Sequence, residues 1–285
     1  MGGEAMIYDP KLYIKRGDED EVDVSELIPG LKFLGDDENP NPLITYQSDT
    51  GVDGQLPLVT TFDKNVVTAN FWLHFNDYYD FKLLKHDIHR LFSRRDRLRF
   101  RTDAEPAIVK YVRPAPFELA PTEAGGRDSM FSIPFENPSG YKYSIGRSDS
   151  PMTFDSDKWQ LGMNLPADET LNYRYTVPEF KIFNASDIVV DPYVQKHDLR
   201  IIISFVGDSL TITNKTNGTS WSYLKAAVKT DSIILDGVAT TLNGDPASVN
   251  TDFGNIILET GYNDISVTGA ADFDITFSFP FIYLG

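Results

Sequence analysis

The sequence predicts a mainly β protein, with an α+β N-terminal domain in which one helix packs on antiparallel sheets, and a C-terminal β-sandwich. Three observations predict this fold class. Apolar and polar residues alternate in many short segments, as they do in half-buried strands. Only residues 77–92 show the apolar spacing of three and four that an amphipathic helix requires. After residue 144, turn-forming residues separate short strand-like segments at regular intervals.

Residues 51–75 contain a turn and then the clearest strand of the N-terminal half. The turn is Gly-Val-Asp-Gly at residues 51–54. In residues 66–75, one predicted face of the strand is apolar: Val67, Ala69, Phe71, Leu73 and Phe75. The other face is mixed: Thr68, Asn70, Trp72 and His74. This period of two predicts a half-buried strand.

The predicted helix follows directly. Asn76 and Asp77 can accept hydrogen bonds from the free N–H groups of a first helical turn. The apolar stripe of the helix consists of Phe81, Leu84, Ile88 and Leu91. Beyond the helix, Leu98 and Phe100 alternate with arginines, which predicts a return to strand.

The rest of the N-terminal half contains two further strands and a break. Alternation resumes at residues 107–112, and three prolines between residues 114 and 121 then interrupt it, since proline cannot donate to a sheet ladder. Residues 118–128 are therefore predicted to be an exposed arm or loop, and residues 130–135 a returning strand. Residues 138–144 mark the predicted domain boundary.

The C-terminal half is predicted to be all β. Its candidate strands are residues 172–176, 180–184, 199–206, 209–214, 221–223, 232–235, 240–242 and 255–258. Several connectors contain residues that tolerate the backbone angles of tight hairpins: Gly207-Asp208, Asn217-Gly218, Asp236-Gly237 and Asn243-Gly244. At the end of the chain, Phe273, Ile275, Phe277 and Phe279 alternate with polar residues, so this strand needs a sheet face to cover.

In their order along the chain, several of these segments resemble the distal tail protein (Dit) family of siphophages that infect Gram-positive bacteria. The segments are residues 51–54, residues 77–92, Gly-Tyr-Lys-Tyr-Ser at 140–144, Ser-Leu-Thr-Ile-Thr at 209–213 and the final aromatic strand. Two features depart from the family pattern. Val52 stands where the family commonly has a basic residue, and the acidic loop at residues 35–42 has no counterpart.

The resemblance implies a domain organisation. Residues 1–141, together with a returning strand at residues 273–285, would form a ring-forming belt domain. Residues 142–272 would form a galectin-like β-sandwich inserted before that strand. On this expectation, deleting residues 273–284 unfolds the N-terminal half.

The resemblance also implies a function. The chain would be a structural virion protein, a distal tail hub that forms a hexameric ring between the tail tube and the tail tip or baseplate. The hub would serve as the attachment platform for host-adhesion proteins during host recognition and DNA ejection. Its expected partners are further copies of itself, the tail tube protein, the tail-associated tip protein and receptor-binding proteins. DNA would be only passing cargo, with no membrane insertion, in a virion tail tip assembled in the host bacterial cytoplasm.

Composition limits the alternatives. The 285 residues correspond to about two domains. The absence of cysteine excludes disulfides, thiol nucleophiles, thiolate zinc sites and iron–sulfur clusters. The sequence has no apolar run of about 18 residues, and residues 1–6 lack the basic and apolar regions of a signal peptide. We therefore expect a soluble protein that folds in the cytoplasm.

Charge argues against nucleic-acid binding by the chain as a whole. The net charge is −16, whereas nucleic-acid affinity comes largely from clustered Lys and Arg. One cluster of basic residues is an exception to this acidic character: Arg94, Arg95, Arg97, Arg99 and Arg101. Two interpretations remain open, an anion-binding patch or the polar face of an edge strand that pairs with acidic neighbours. In a tail ring, acidic walls would let DNA pass without adhering.

No catalytic, cofactor-binding or metal-binding residue is predicted, and we expect no enzymatic activity. The acidic run at residues 18–21, with Asp23, lacks the alternating ligands and turn glycine of a calcium loop. His74, His86 and His89 could share a face, but the spacing of a known zinc motif is absent, so surface histidines are favoured. The motifs of serine hydrolases and phosphate-binding loops are absent, and a carboxylate pair cannot be recognised by spacing alone.

The alternative function is a carbohydrate-binding module that recognises host cell-wall saccharides. Trp221 and Tyr223 follow a turn and could stack on a sugar, although core positions of a sandwich are the favoured interpretation. The triplets Asn-x-Ser/Thr that begin at Asn184, Asn214 and Asn217 are interpreted as hairpin residues rather than glycan sites.

Overall fold

The structure is a computed structural model that describes residues 9–153 and 158–285. The chain divides into two compact units, residues 1–142 with 284–285 (the N-terminal unit) and residues 143–283 (the C-terminal unit). Residues 1–8, of which residues 1–6 are considered above for a signal peptide, lie outside the described residues. Strands dominate both units, which confirms the mainly β fold class.

The N-terminal unit contains nine strands and two helices within the described residues. They are β1 (Leu12–Arg16), β2 (Val22–Asp23), α1 (Val24–Leu27), β3 (Leu31–Asp37), β4 (Pro42–Gln47), β5 (Leu56–Phe62), β6 (Asn65–His74), α2 (Tyr78–Phe92), β7 (Leu98–Thr102), β8 (Ile108–Pro114) and β9 (Asp128–Asn137).

Most of these strands join one sheet in the order β2-β1-β7-β8-β9-β6-β3. The longest antiparallel pairing joins β6 and β9 over ten residue pairs, from Asn65 opposite Asn137 to His74 opposite Asp128. The predicted faces of β6 are confirmed, because its odd-numbered residues are buried and its even-numbered residues are not. Strands β4 and β5 form a separate two-stranded sheet.

Helix α2 covers the apolar face of this sheet. It begins where the sequence predicts, because the Asp77 carboxylate accepts hydrogen bonds from Tyr79 N and Asp80 N at 2.8 and 2.9 Å. Its buried residues are Phe81, Leu84, Ile88 and Phe92. Predicted Leu91 is only half-buried, and the Phe92 ring instead reaches Phe71, with ring centroids 5.9 Å apart.

The segment between β8 and β9 is a loop in which most of residues 118–128 are exposed, as predicted. It has no strand, as the prolines require, but it packs against the unit. Leu119 is 2% exposed and belongs to the N-terminal core. Its carbonyl accepts a hydrogen bond from Lys85 Nζ at 2.6 Å, so a residue of α2 binds the segment to the N-terminal unit.

The C-terminal unit is built almost entirely from short strands. They are β10 (Lys142–Arg147), β11 (Arg174–Tyr175), β12 (Glu179–Asn184), β13 (Arg200–Val206), β14 (Leu210–Asn214), β15 (Ser220–Tyr223), β16 (Ile233–Asp236), β17 (Ala239–Leu242), β18 (Asp245–Pro246), β19 (Gly261–Thr268), β20 (Asp272–Ser278) and β21 (Pro280–Tyr283). One short α-helix, α3 (Pro192–Gln195), and a 3-10 turn at Ser248–Asn250 complete the elements.

Two antiparallel sheets share the core of this unit. Their strand orders are β11-β20-β13-β16-β17-β18 and β12-β19-β14-β15. Aromatic rings meet across them, with Phe180 against Phe277 and Phe205 against Tyr223 at centroid distances of 6.2 and 6.1 Å. The unit is therefore a sandwich of two facing sheets, as the strand spacing predicts.

One predicted strand is wrong and another was missed. Residues 255–258 contain only an isolated bridge between Leu258 and Val190, whereas β19 lies just beyond them. The core-facing positions of β19 are Asn263, Ile265 and Val267. The first of these is a buried Asn, so the apolar alternation of β19 is incomplete in the sequence. Its Oδ1 accepts a hydrogen bond from Asn214 Nδ2, and its own Nδ2 donates to backbone carbonyls.

The closing aromatic segment contains two strands, β20 and β21. Residues 272–278 form β20, which lies between β11 and β13 and pairs with β13 from Val206 opposite Asp272 to Arg200 opposite Ser278. Phe273, Ile275 and Phe277 are buried in the core of the C-terminal unit. The sheet face that these three residues cover belongs to the sandwich, whereas residues 284–285 at the end of the chain belong to the N-terminal unit. The return of residues 273–285 to the first domain stays a prediction.

His197 is the one buried histidine among the described residues, and it lies in the sandwich core. It lies 4% exposed, with its ring centroid 6.4 Å from that of Phe279. Burial disfavours the imidazolium and lowers the pKa of His197 to about 4. The folded state therefore requires neutral His197.

We expect the C-terminal unit to lose stability as the pH falls from about 6.5, the unfolded pKa of histidine, towards about 4, since the unfolded chain then binds a proton that the folded chain excludes. The loss should reach about 3 kcal/mol. His197→Gln should remove this component. Urea unfolding of the wild type and the variant at several pH values measures the difference, and parallel pH profiles would contradict the assignment.

Phe277→Ala should destabilise the C-terminal unit by about 3–5 kcal/mol, because it leaves a cavity in the core where β20, the strand between β11 and β13, buries this ring. Limited proteolysis should show faster cleavage within residues 143–283 and unchanged protection of residues 9–142. Leu161→Ala is the matched control, since Leu161 is 89% exposed. Faster cleavage confined to the N-terminal unit would show instead that the strand supports the first domain.

Candidate assembly surface

The most unusual surface of the N-terminal unit is the hairpin formed by β4 and β5. The strands pair antiparallel from Pro42 opposite Phe62 to Gln47 opposite Leu56. The predicted turn at residues 51–54 lies at its tip, where Gly51 and Gly54 have φ values of 83° and 87° that glycine adopts without strain. The sequence therefore located the turn, while the strands on either side of it were missed.

Both faces of this hairpin meet solvent. All residues of β4 and β5 are exposed except Phe62, which is half-buried. The exposed apolar side chains include Leu43, Tyr46, Leu56, Leu58 and Val59. An isolated two-stranded hairpin is marginally stable in water, and an exposed apolar strand edge readily pairs with another chain. The hairpin thus has the properties of an element that is completed by a partner.

A cluster of buried charges fixes the segment that leads into the hairpin. Lys110 Nζ, on β8, lies 2.9 Å from Asp36 Oδ2 and 2.5 Å from Glu38 Oε1. Lys142 Nζ contacts Glu38 and Glu105, each at 2.9 Å. Burial opposes the charge of Lys142, but the carboxylates of Glu38 and Glu105 outweigh it and raise the pKa of Lys142. The acidic loop at residues 35–42 therefore anchors the hairpin to the main sheet.

The arginine cluster is divided between two roles. Arg99 and Arg101 both bind the Glu21 carboxylate, with Nη2–oxygen distances of 2.8 and 2.5 Å. Burial disfavours ionised Glu21, yet the hydrogen bonds from these arginines hold the pKa of Glu21 below its usual value. The guanidinium of Arg101 also lies 4.2 Å from the ring centroid of Tyr13. The hypothesis of pairing with acidic neighbours is thus confirmed for these two residues. Their strand is not an edge strand, however, because β7 lies between β1 and β8.

Arg94, Arg95 and Arg97 remain exposed. Within the same region, the side chain of Arg16 donates a hydrogen bond to the carbonyl of Leu91. Burial, followed by the positive charge of Arg94, lowers the pKa of Arg16. Arg94 is therefore close enough to Arg16 for their positive charges to repel each other.

The histidines considered as metal ligands do not converge. His74 Nδ1 lies 2.8 Å from Asp128 Oδ1, while the His89 ring stacks on Phe117 with centroids 4.9 Å apart. Burial and the charge of Lys85 lower the pKa of His89. His86 is exposed. No group of three or more metal-ligating side chains is present in residues 9–153 and 158–285.

The acidic run near the N-terminus has local structural roles instead. Asp23 accepts a hydrogen bond from Ser25 N at 2.9 Å and so caps α1. Lys11 Nζ lies 3.2 Å from the same carboxylate. Nor does any helix in the described part of the chain have the length and apolar character to cross a membrane.

The candidate sugar-binding and glycan residues are internal. Trp221 and Tyr223 are 0% and 1% exposed, so the core interpretation is confirmed for both. Asn184 and Asn214 are buried, and each donates a side-chain hydrogen bond to a backbone carbonyl. The hairpin interpretation is confirmed for Asn214, whose backbone pairs with Thr219 across the turn between β14 and β15. It is wrong for Asn184, which ends β12. Asn217 lies in the turn after β14, as expected, and its side chain bonds to Glu259 at 3.1 Å.

Comparisons with known proteins agree with this architecture. A family model described as the phage tail protein RIFT-related domain matches residues 20–137. A search of curated proteins found no match. Among solved structures, the chain is similar to the Dit protein (gp 19.1) of phage SPP1, described as a paradigm of the hub adsorption apparatus in phages that infect Gram-positive bacteria.

The similarity to SPP1 Dit has a TM-score of 0.66 at 10% sequence identity, and it covers 95% of this chain and 99% of that chain. The phage p2 baseplate in its activated conformation with Sr has a TM-score of 0.40 at 11% identity, covering 94% of this chain and 97% of that chain. The corresponding structure with Ca has a TM-score of 0.42 at 12% identity, covering 95% and 98%. These two low scores do not establish a shared fold.

The family match and the structural similarity concern different lengths of the chain. The family model covers the helix and most of the main sheet of the N-terminal unit. The similarity to SPP1 Dit extends through the C-terminal unit and establishes the fold. Together they support the resemblance identified from the sequence: residues 20–137 match the phage tail protein RIFT-related domain, and the chain has the fold of the distal tail protein Dit of phage SPP1.

Proposed function

We propose that this protein is the distal tail hub of a phage, in which six copies form a ring between the tail tube and the tail tip or baseplate. The ring serves as the attachment platform for host-adhesion proteins during host recognition and DNA ejection. Its partners are the tail tube protein, the tail-associated tip protein and receptor-binding proteins, and it catalyses no reaction. The hub is assembled in the host cytoplasm and resides at the virion tail tip.

The exposed hairpin of β4 and β5 is the observation that carries this proposal. A monomer would leave its apolar side chains in water on both faces. Packing the hairpin on a neighbouring copy would bury them, at about 25 cal/mol for each Å² of apolar surface removed from water. One copy offers the hairpin and the next receives it, so the contact is heterologous and closes a ring when the rotation between copies allows.

A passage for DNA fits the charge of the protein. Six copies with a net charge of −16 each would repel a phosphate backbone rather than retain it. DNA would therefore move through the ring as cargo. The fold similarity to SPP1 Dit, whose description names a hub, supports the same placement.

The carbohydrate-binding alternative has lost its candidate residues. Trp221 and Tyr223 cannot stack on a saccharide, because both rings are enclosed in the sandwich core. No observation in the described structure favours a sugar site over the assembly surface.

Light scattering after gel filtration, with negative-stain imaging, tests the ring. The wild type should form six-fold annuli. The variant Leu56→Ser with Leu58→Ser should associate about a hundred- to ten-thousand-fold more weakly, because burying each leucine contributes about 1.5–3 kcal/mol.

Leu161→Ser is the control variant, because this leucine is exposed on the C-terminal unit. It should assemble as the wild type does. A wild type that remains monomeric at high concentration would overturn the hub proposal. Unaltered rings from the double serine variant would show that a surface other than the hairpin joins the copies.

A further inference from the structure

A basic groove lies at one end of the strand order in the N-terminal unit. It has a volume of about 910 Å³ and is formed by the end of β1, the loop after it, the residues before β7 and the end of β8. Six of its lining residues are basic: Lys15, Arg16, Arg95, Arg97, Arg99 and Arg113. Three are acidic: Asp18, Glu19 and Asp96. A cationic groove on a chain with a net charge of −16 is a local reversal of charge.

Much of this positive charge is available to a ligand. Arg95, Arg97 and Arg113 are exposed and form no ion pair with the described residues. The Nε atoms of Arg16 and Arg99 are buried without a hydrogen-bond partner among those residues. An arginine presents several N–H donors in a planar fork that matches carboxylates. The groove therefore suits an acidic ligand.

The hairpin of β4 and β5 carries the complementary charge. Residues 33–63 contain six acidic residues and no basic residue. Asp36 and Glu38 are engaged by Lys110 at the base of the hairpin, whereas Asp49 and Asp53 lie exposed at its tip. The tip therefore presents two carboxylates on an element that already needs a partner.

The topology separates the hairpin from the groove. The hairpin connects β3 and β6, which end the strand order on one side, while the groove is built on β1 and β7 near the other end. A head-to-tail arrangement of copies places unlike ends together. The acidic rim residues of the groove disfavour a uniform polyanion such as DNA and suit a folded segment of limited charge.

We propose that the groove receives the acidic hairpin tip of a second copy, with Arg95, Arg97 and Arg113 binding Asp49 and Asp53. This inference rests on the ring of the proposed function and names the receiving surface of its interface. The apolar faces of the hairpin supply burial, while the ion pairs set the direction and register of docking. Partial solvent exposure makes the ion pairs sensitive to salt.

Charge reversal on each side tests the contact. The groove variant Arg95→Glu with Arg97→Glu and the tip variant Asp49→Lys with Asp53→Lys each bring like charges together. Each variant alone should associate on the order of ten- to a hundred-fold more weakly than the wild type, as measured by light scattering across protein concentration.

Mixing the two variants provides the decisive readout. The acidic tip of the groove variant fits the unaltered groove of the tip variant, and the lysine tip of the latter fits the glutamate groove of the former. An equimolar mixture should therefore restore even-numbered rings with the two variants alternating. A mixture that stays dissociated, although both variants unfold at the wild-type urea midpoint, would overturn the inference.

Two controls separate this inference from the ring itself. Lys158→Glu with Lys225→Glu changes the net charge equally at exposed lysines of the C-terminal unit and should leave assembly unchanged. The neutral groove variant Arg95→Gln with Arg97→Gln should give an intermediate weakening. If the wild type forms rings and the groove variants match it, the groove inference fails and the hub proposal stands. A wild type without rings overturns both.

Discussion

The ion cluster around Lys110 is the interaction on which the assembly surface depends. Its ammonium group is almost fully buried between the carboxylates of Asp36 and Glu38, which lie where β3 leads into the hairpin. Removing one partner of such a cluster leaves a buried charge uncompensated, at a cost of about 3–5 kcal/mol. The hairpin therefore leaves the main sheet in a defined direction. Its apolar strands are held in place on the surface and do not hang from a flexible linker.

The two units differ in which of their apolar and polar residues are buried. The N-terminal unit buries the stripe of α2 against one face of its sheet and leaves a second apolar surface, the hairpin, uncovered. The sandwich core encloses aromatic residues such as Trp221 and Phe277, and it also contains Asn214 and Asn263, whose amides bond to each other. The hairpin is therefore an apolar surface of the N-terminal unit that is open to a second copy.

Electrostatics gives that surface a direction. Net charge alone predicts that copies of this acidic chain repel one another. The local charge of this region is positive, since Arg99 and Arg101 share the single carboxylate of Glu21 while Arg95 and Arg97 form no ion pair with the described residues. A basic groove and an acidic hairpin tip on one chain permit attraction between unlike ends. Like ends repel, which favours a closed ring over disordered aggregates.

The sequence by itself determined the local elements: the alternation in β6, the Asp77 cap and stripe of α2, and the turn glycines Gly51 and Gly54. Their order also identified the family. These features are local, because period and capping depend on residues a few positions apart. Only the tertiary structure decided that β20 pairs with β13, that Asn263 faces a core, that Leu119 is buried, and that both faces of the hairpin meet solvent. Pairing and burial depend on residues far apart in the chain, and alternation fixes which side chains share a face without fixing what covers it.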